Sequence, residues 1–309
     1  MHTDQAAGLR AMQKKPAGST SNPTAAAAKK TAPEKVGDPP SGKPVRVIAV
    51  TSGKGGVGKT NVSVNLGVAL SAKGNRVLLM DADMGLANVD IMLGLSPQYN
   101  LSHVLDGQKS LREVIVEGPG GLKVIPAASG VKRMAELSAL ENAGIVHAFS
   151  ELANDLDVLI VDTAAGIASS VATFCQAAQE VVVVVCDEPA SLTDAYALIK
   201  VLNRDYQLNH FRVLANMAQS EQHGRKLFLK LATVTERFLD NVQLEYLGTV
   251  PFDPALKEAV QKQVPVTLYN PTSVSAGAFR QIAEQVNRWP VPQGATGYIQ
   301  FFVENLFQG

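Results

Sequence analysis

The sequence predicts an α/β protein: a doubly wound, mostly parallel sheet with helices on both faces. Three observations carry that expectation. From residue 45 onward, short apolar runs of strand length alternate with longer helix-like runs, the pattern of a parallel sheet covered on both sides. Residues 181–185 are five consecutive valines, suited to a strand buried on both faces and far too short to span a membrane. Between the first strand and the first helix lies Gly53-Lys54-Gly55-Gly56-Val57-Gly58-Lys59-Thr60, a glycine-rich loop in the strand–loop–helix setting that a phosphate-binding turn requires.

Taken in order, the chain opens on Asp4-Gln5-Ala6-Ala7-Gly8-Leu9-Arg10-Ala11-Met12, in which Ala6, Leu9 and Met12 share one helical face. So short a helix does not hold by itself, so residues 1–13 read as a peptide that folds on a partner. Residues 14–44 are largely Ala, Pro, Lys, Ser, Thr and Gly; they have too little apolar surface to offset their ordering entropy and read as a flexible linker. The apolar run before the glycine-rich loop predicts a strand over 46–51, and the amphipathic run after it a helix over 59–72. Further apolar runs predict strands at 76–80, 122–126, 158–162, 181–185, 211–217 and 246–250. Helix-period runs between them predict helices at 139–154, 168–177, 191–205, 222–238, 255–262 and 273–288. All of these belong to one domain, 45–290. The tail, 291–309, is amphipathic: Tyr298, Ile299, Phe302, Val303 and Leu306 share a helical face.

Composition narrows the classes. Lys+Arg and Asp+Glu both number 28, so no global field draws the chain to nucleic acid or an anionic surface. The cysteines, Cys175 and Cys186, form no CxxC, which argues against a zinc ribbon and a secreted disulfide scaffold. Placed in a helix and after a buried strand, they read as small buried hydrophobes. Without a long apolar run or a hydrophobic signal core, the expectation is a cytoplasmic protein.

In an open parallel sheet, ligands sit beyond the carboxyl ends of the strands. There the glycines let successive N–H groups curl inward at phosphate oxygens, and the following helix adds its unpaired N–H groups and positive dipole end. Lys59 supplies an ammonium for the β- and γ-phosphates, and Thr60 a hydroxyl for Mg²⁺. Asp162 ends the apolar run Val158-Leu159-Ile160-Val161 and offers a carboxylate for the Mg²⁺ shell, with Gly166 in a loop able to move with the γ-phosphate. Asp81 and Asp83 follow the second strand. Asn216 ends a later one, where an amide that donates and accepts suits an adenine edge.

Lys54 gives the loop the form KGGxGKT. A side chain there leaves the loop away from its own helix, badly placed for its own phosphates and able to cross to a facing subunit. With that lysine, the loop resembles the deviant Walker A motif of the MinD/ParA family of dimerising ATPases, over roughly residues 45–289. The resemblance implies ATP and Mg²⁺ as ligands, Gly53 to Asn61 wrapping the phosphates, and Lys54 reaching the partner's nucleotide in a homodimer. It implies that Asp83, in Asp81-Ala82-Asp83-Met84-Gly85-Leu86-Ala87-Asn88-Val89-Asp90, positions the attacking water while Asp81 supports the magnesium shell. It also sets Asn216 against adenine, Pro251-Phe252-Asp253 around the base, and Glu188 at the ribose of the opposite nucleotide.

The segment from Asp4 to Arg10 resembles the DQAxxLR activator motif of the FlhG/FleN branch, MinD-like regulators of flagellar number and placement. That implies a helix carrying Asp4, Gln5, Ala6, Leu9 and Arg10 that docks on the GTPase FlhF and stimulates it. Further partners implied are a FleQ-type transcription activator and flagellar C-ring proteins. Two alternatives stand beside this: a ParA-type DNA-positioning ATPase, disfavoured by zero net charge and the lack of a basic run, and a MinD-type division regulator. MinD proteins end in a membrane-targeting helix, but the tail's polar face holds Gln300, Glu304 and Asn305 and no cation, so packing on protein is as well supported as membrane binding.

Overall fold

The computed structural model describes residues 44–83, 88–126, 139–290 and 299–306, with side chains of 139–143 left aside. The expectations for residues 1–43, for Met84-Gly85-Leu86-Ala87 and for Tyr298 lie outside these residues. Eight strands form one sheet in the order β3-β4-β2-β5-β1-β6-β7-β8. They are β1 (Arg46–Ser52), β2 (Val77–Ala82), β3 (Val116–Glu117), β4 (Lys123–Ile125), β5 (Val158–Ala165), β6 (Glu180–Val185), β7 (His210–Ala218) and β8 (Gln243–Pro251). Every pairing is parallel except β3–β4, an antiparallel edge.

Alternation along each strand divides the core into faces. Ile48, Val50, Val182 and Val184 join one apolar cluster with α1 (Lys59–Ser71) and α11 (Val274–Arg288). Val47, Ala49, Val181, Val183 and Val185 join clusters on the other side, under α5 (Ala139–Leu152), α6 (Ser169–Ala177), α7 (Pro189–Tyr206) and α8 (Glu221–Phe238). The sheet is therefore doubly wound. The remaining helices are short: α2 (Val89–Met92), α3 (Leu101–Leu105), α4 (Leu111–Val114), α9 (Pro254–Gln261), α10 (Val266–Tyr269) and α12 (Ile299–Leu306).

Two expectations need correction. The first helix is not amphipathic: Val62 through Leu70 are all buried, because α1 is wedged between the sheet and α11. A Cβ added at Gly67 would lie 2.9 Å from Leu122, so the helix seats without room for a side chain there. Strand β5 also runs on past Asp162 to Ala165, which puts that carboxylate inside the ladder opposite Val50 and Asp81. The tail helix α12 packs against α5 and α6, with Ile299, Phe302, Val303 and Leu306 buried. Among the described residues, no helix is long and apolar enough to cross a membrane.

Candidate functional site

The site is built where β1 gives way to α1, at the centre of the sheet with β5 and β6 on either side. Gly53 follows the strand so closely beneath α7 that an added Cβ would stand 2.1 Å from the backbone carbon of Asp194. Gly56 and Gly58 hold left-handed backbone, φ +83° and +86°, which glycine adopts without a Cβ penalty. Gly58 caps α1 with no side-chain bond, so the helix's first N–H groups stay available to an anion. Ser52 Oγ donates to the Lys54 carbonyl at 2.7 Å and shapes the loop from beneath. A cavity of about 650 Å³ opens over it, lined by Gly55, Gly56, Gly58, Lys59, Thr60 and Asn61 on one side and Asp83, Asn88 and Ala165 on another.

Two carboxylates form the floor. Asp162, 1% exposed, accepts the hydroxyls of Ser63 (2.9 Å) and Thr60. Burial pushes its pKa up to about 7, with the neighbouring Asp81 adding to the rise while Thr60, Lys59 and Ser63 oppose it. Asp81 lies beside it in register across β2 and β5. Burial raises the Asp81 pKa as well, against three backbone N–H groups that donate to it: Asp83 at 3.0 Å, Asn88 at 3.1 Å and Val89 at 3.2 Å. Asp81 thus ties down both ends of the segment that carries Asp83. Buried carboxylates beside a threonine hydroxyl and a phosphate cradle are a hard-oxygen donor set, and they fit Mg²⁺ held jointly by protein and phosphate.

Lys54 takes no part in that cavity's lining; its Nζ forms an ion pair with Glu188 of the same chain. The hydrogen bond to Glu188 holds the Lys54 pKa above the usual lysine value. Both residues expected at a partner's nucleotide are therefore turned to each other.

Strand register brings the expected base-binding residues together. Asn216 pairs with Val250, Ala218 with Pro251, and the Phe252 N–H donates to Ala218 O at 2.8 Å. Phe252 is 63% exposed at this edge. Asn216 is buried; its Nδ2 donates to the Val57 carbonyl at 2.8 Å, and its Oδ1 has no partner among the described residues. Asp253 is committed elsewhere: it caps α9 through Ala255 N and accepts Ser275 N and Oγ at 3.0 and 2.7 Å. Burial alone would raise its pKa, and these donors hold it below the usual carboxylate value. Its contribution is to fix the loop that presents Pro251 and Phe252. Val57 likewise offers only backbone, since its side chain is in the core.

Ser63 and Ser52 went unread in the sequence. Ser63 is a polar residue inside the apolar run Val62-Ser63-Val64, one turn beyond Lys59, and that placement is the signal that could have found it.

The family profile described as "ParA: NUBPL iron-transfer P-loop NTPase" matches residues 43–287. Cys175 and Cys186 are both free and buried. Over 265 residues, 86% of this chain and 94% of the relative, the chain is 57% identical to the "Antiactivator FleN" of Pseudomonas aeruginosa. It is 35% identical to the "Flagellum site-determining protein YlxH" of Helicobacter pylori, over 77% of this chain and 80% of that one. Among solved structures, the septum site-determining protein MinD of Pyrococcus horikoshii, complexed with Mg-ADP, superposes with a TM-score of 0.61 at 25% identity, covering 79% of this chain and 96% of that one.

Proposed function

Because this chain belongs to the ParA family of P-loop NTPases and is similar to FleN and MinD, we propose that it is an ATP-dependent dimerising switch that controls flagellar number and placement. The observation that carries the switch is Lys54: it stands in an intact phosphate-binding loop yet turns from its own cavity to Glu188.

ATP fits the site by parts. Backbone N–H groups of Gly53 to Thr60 and the Lys59 ammonium take the phosphates, with Asn61 beside them. The unpartnered Asn216 Oδ1 suits the adenine amine, and Pro251 and Phe252 flank the ring. Thr60 and Asp162, backed by Asp81, are the residues to hold Mg²⁺, which when bound neutralises charge on the phosphate oxygens. Asp83 lines the cavity where a water can be oriented for attack on the γ-phosphorus. Two subunits meeting across this face exchange each Lys54 from Glu188 to the other's phosphates, and Glu188 turns to the other's ribose. An exposed ion pair is worth little in water, so a phosphate competes for that lysine easily. Exposed Ile91 and Ile167, beside Asp90 and Gly166, give the meeting face apolar surface. Loss of the γ-phosphate ends these contacts and the dimer separates, a slow cycle that partners accelerate.

The cargo side rests on similarity. "Antiactivator" describes the Pseudomonas relative, and restraint of a FleQ-type transcription activator is its counterpart here. Asp4, Gln5, Ala6, Leu9 and Arg10 form the motif that stimulates an FlhF-type GTPase, where the Gln5 amide can orient a water; C-ring proteins complete the partner set. The test is GTP turnover by an FlhF-type GTPase. Stimulation by the full chain that disappears on deleting residues 1–12 is the expected result. No stimulation by the full chain would refute the flagellar role of that segment.

A further inference from the structure

We propose that Gln263 is a positioning residue for ATP hydrolysis: its side-chain amide tethers helix α2 to the end of helix α9, and with α2 the Asn88 and Val89 amides that share the Asp81 carboxylate with Asp83. The inference rests on the ATPase reading above.

Helix α2 has four residues, Val89–Met92, too few to hold a helix by local propensity. Val89 anchors it in the core with Met92 packed beside it, and hydrogen bonds to its end groups fix how it sits there. At the N-terminal end, Asp81 accepts Asn88 N and Val89 N. At the C-terminal end, Ile91 O accepts Gln263 Nε2 at 2.7 Å as well as the Gly94 amide of its own turn at 3.2 Å. Asp81 is a fixture of the sheet. Gln263 belongs to a different element, directly after α9, whose first turn is capped by Asp253 of the base-pocket loop. One short path of backbone and two side chains thus joins the base end of the site to helix α2. Gln263 itself lines the same cavity as Asp83 and Asn88.

The backbone of Gln263 sharpens the case. It holds φ +56°, left-handed, at the residue that ends α9 in a Schellman turn: Gln263 N donates to Val260 O, and Val264 N to Ala259 O. Glycine is the residue such a position favours, since any side chain there is strained. Gln207 ends α7 in the same conformation, φ +60°, but its amide turns back to Arg204 O of its own helix. At 263 the amide instead crosses to α2, a use that glycine could not serve.

The experiment compares Gln263→Gly, Gln263→Met and Gln263→Lys in the full chain. Glycine relieves the backbone and removes the amide, methionine keeps the shape without a donor, and lysine restores a donor of similar reach. The expected result for Gly and Met is a kcat for ATP about threefold to tenfold lower, the range of one hydrogen bond, with KM within about twofold. Lysine should recover most of the loss, and the Gly variant should melt no lower than the parent. Gly and Met variants with parental kcat, or with raised KM and intact kcat, would overturn the tether. Amide exchange at Asn88 and Val89 in the nucleotide-free protein supplies a readout that needs no hydrolysis. Faster exchange in Gly and Met supports the tether even in a protein without ATP turnover, a result that would refute the ATPase reading alone. Unchanged exchange refutes the tether with the ATPase standing.

Discussion

Asp162 is almost wholly out of water, next to a second buried carboxylate, Asp81. The consequence is a stability that runs opposite to that of an ordinary salt-bridged aspartate. Burial lifts its folded-state pKa from the usual 3.8 to about 7, so the folded form binds the proton more tightly than the unfolded chain does. That stabilisation is full below about pH 4 and is lost as pH rises towards 7. Nucleotide-free protein should therefore lose melting temperature between about pH 5 and pH 8. Asp162→Asn, which keeps an acceptor for Ser63 and Thr60, should lack that slope and melt roughly 5 °C or more above the parent at about pH 8. Parallel melting curves for the two would show that the carboxylate carries no such penalty. Single residues were legible where chemistry dictates type and spacing: Lys59 and Thr60 open α1 directly after the glycine-rich loop, whereas Asp162 lies within β5 and not at its end. What spacing hides is the partner. Gly53 is required by the backbone of Asp194, some 140 positions away, and Asp253 serves Ser275; neither contact leaves a local mark in the sequence.

At the scale of elements, length decided legibility. Every strand expected from an apolar run is present within a few residues, as are the seven helices expected in the body of the chain. The elements left unread, β3 and helices α2, α3, α4 and α10, have two to five residues each, shorter than any window in which a period can be recognised. They are held by caps and tethers: α3 and α4 each carry a capping box, from Asn100 with His103 and from Ser110 with Glu113. For α12 the amphipathic period was readable, but nothing local said what its apolar face would meet. The structure seats that face on α5 and α6, and Phe302 is 1% exposed. A seated α12 makes Phe302→Ala a core truncation, costing about 3–5 kcal/mol in chemical denaturation. An unchanged unfolding midpoint would mean that the helix spends its time off the domain, as a membrane-seeking segment would.

Across the whole molecule, the alternation of strands and helices was enough to expect a parallel sheet covered on both faces, and the glycine-rich loop to expect the site at the carboxyl end of β1. The strand order was not readable, because crossovers of similar length allow several arrangements and only packing chooses among them. The sequence led to the expectation that Lys54 and Glu188 reach a facing subunit, whereas their mutual ion pair was not readable, since it forms across about 130 positions between two loops. That pair gives the separate subunit a resting place for the lysine, and it frames the central claim. The most direct measurement is the solution mass by sedimentation velocity, without nucleotide, with ADP, and with ATP and Mg²⁺, for the parent chain and Lys54→Ala. The account predicts a monomer in the first two conditions, a dimer of the parent with ATP and Mg²⁺, and a Lys54→Ala chain that binds ATP but stays monomeric. A parent that remains monomeric with ATP and Mg²⁺, or a Lys54→Ala chain that dimerises as the parent does, would contradict it.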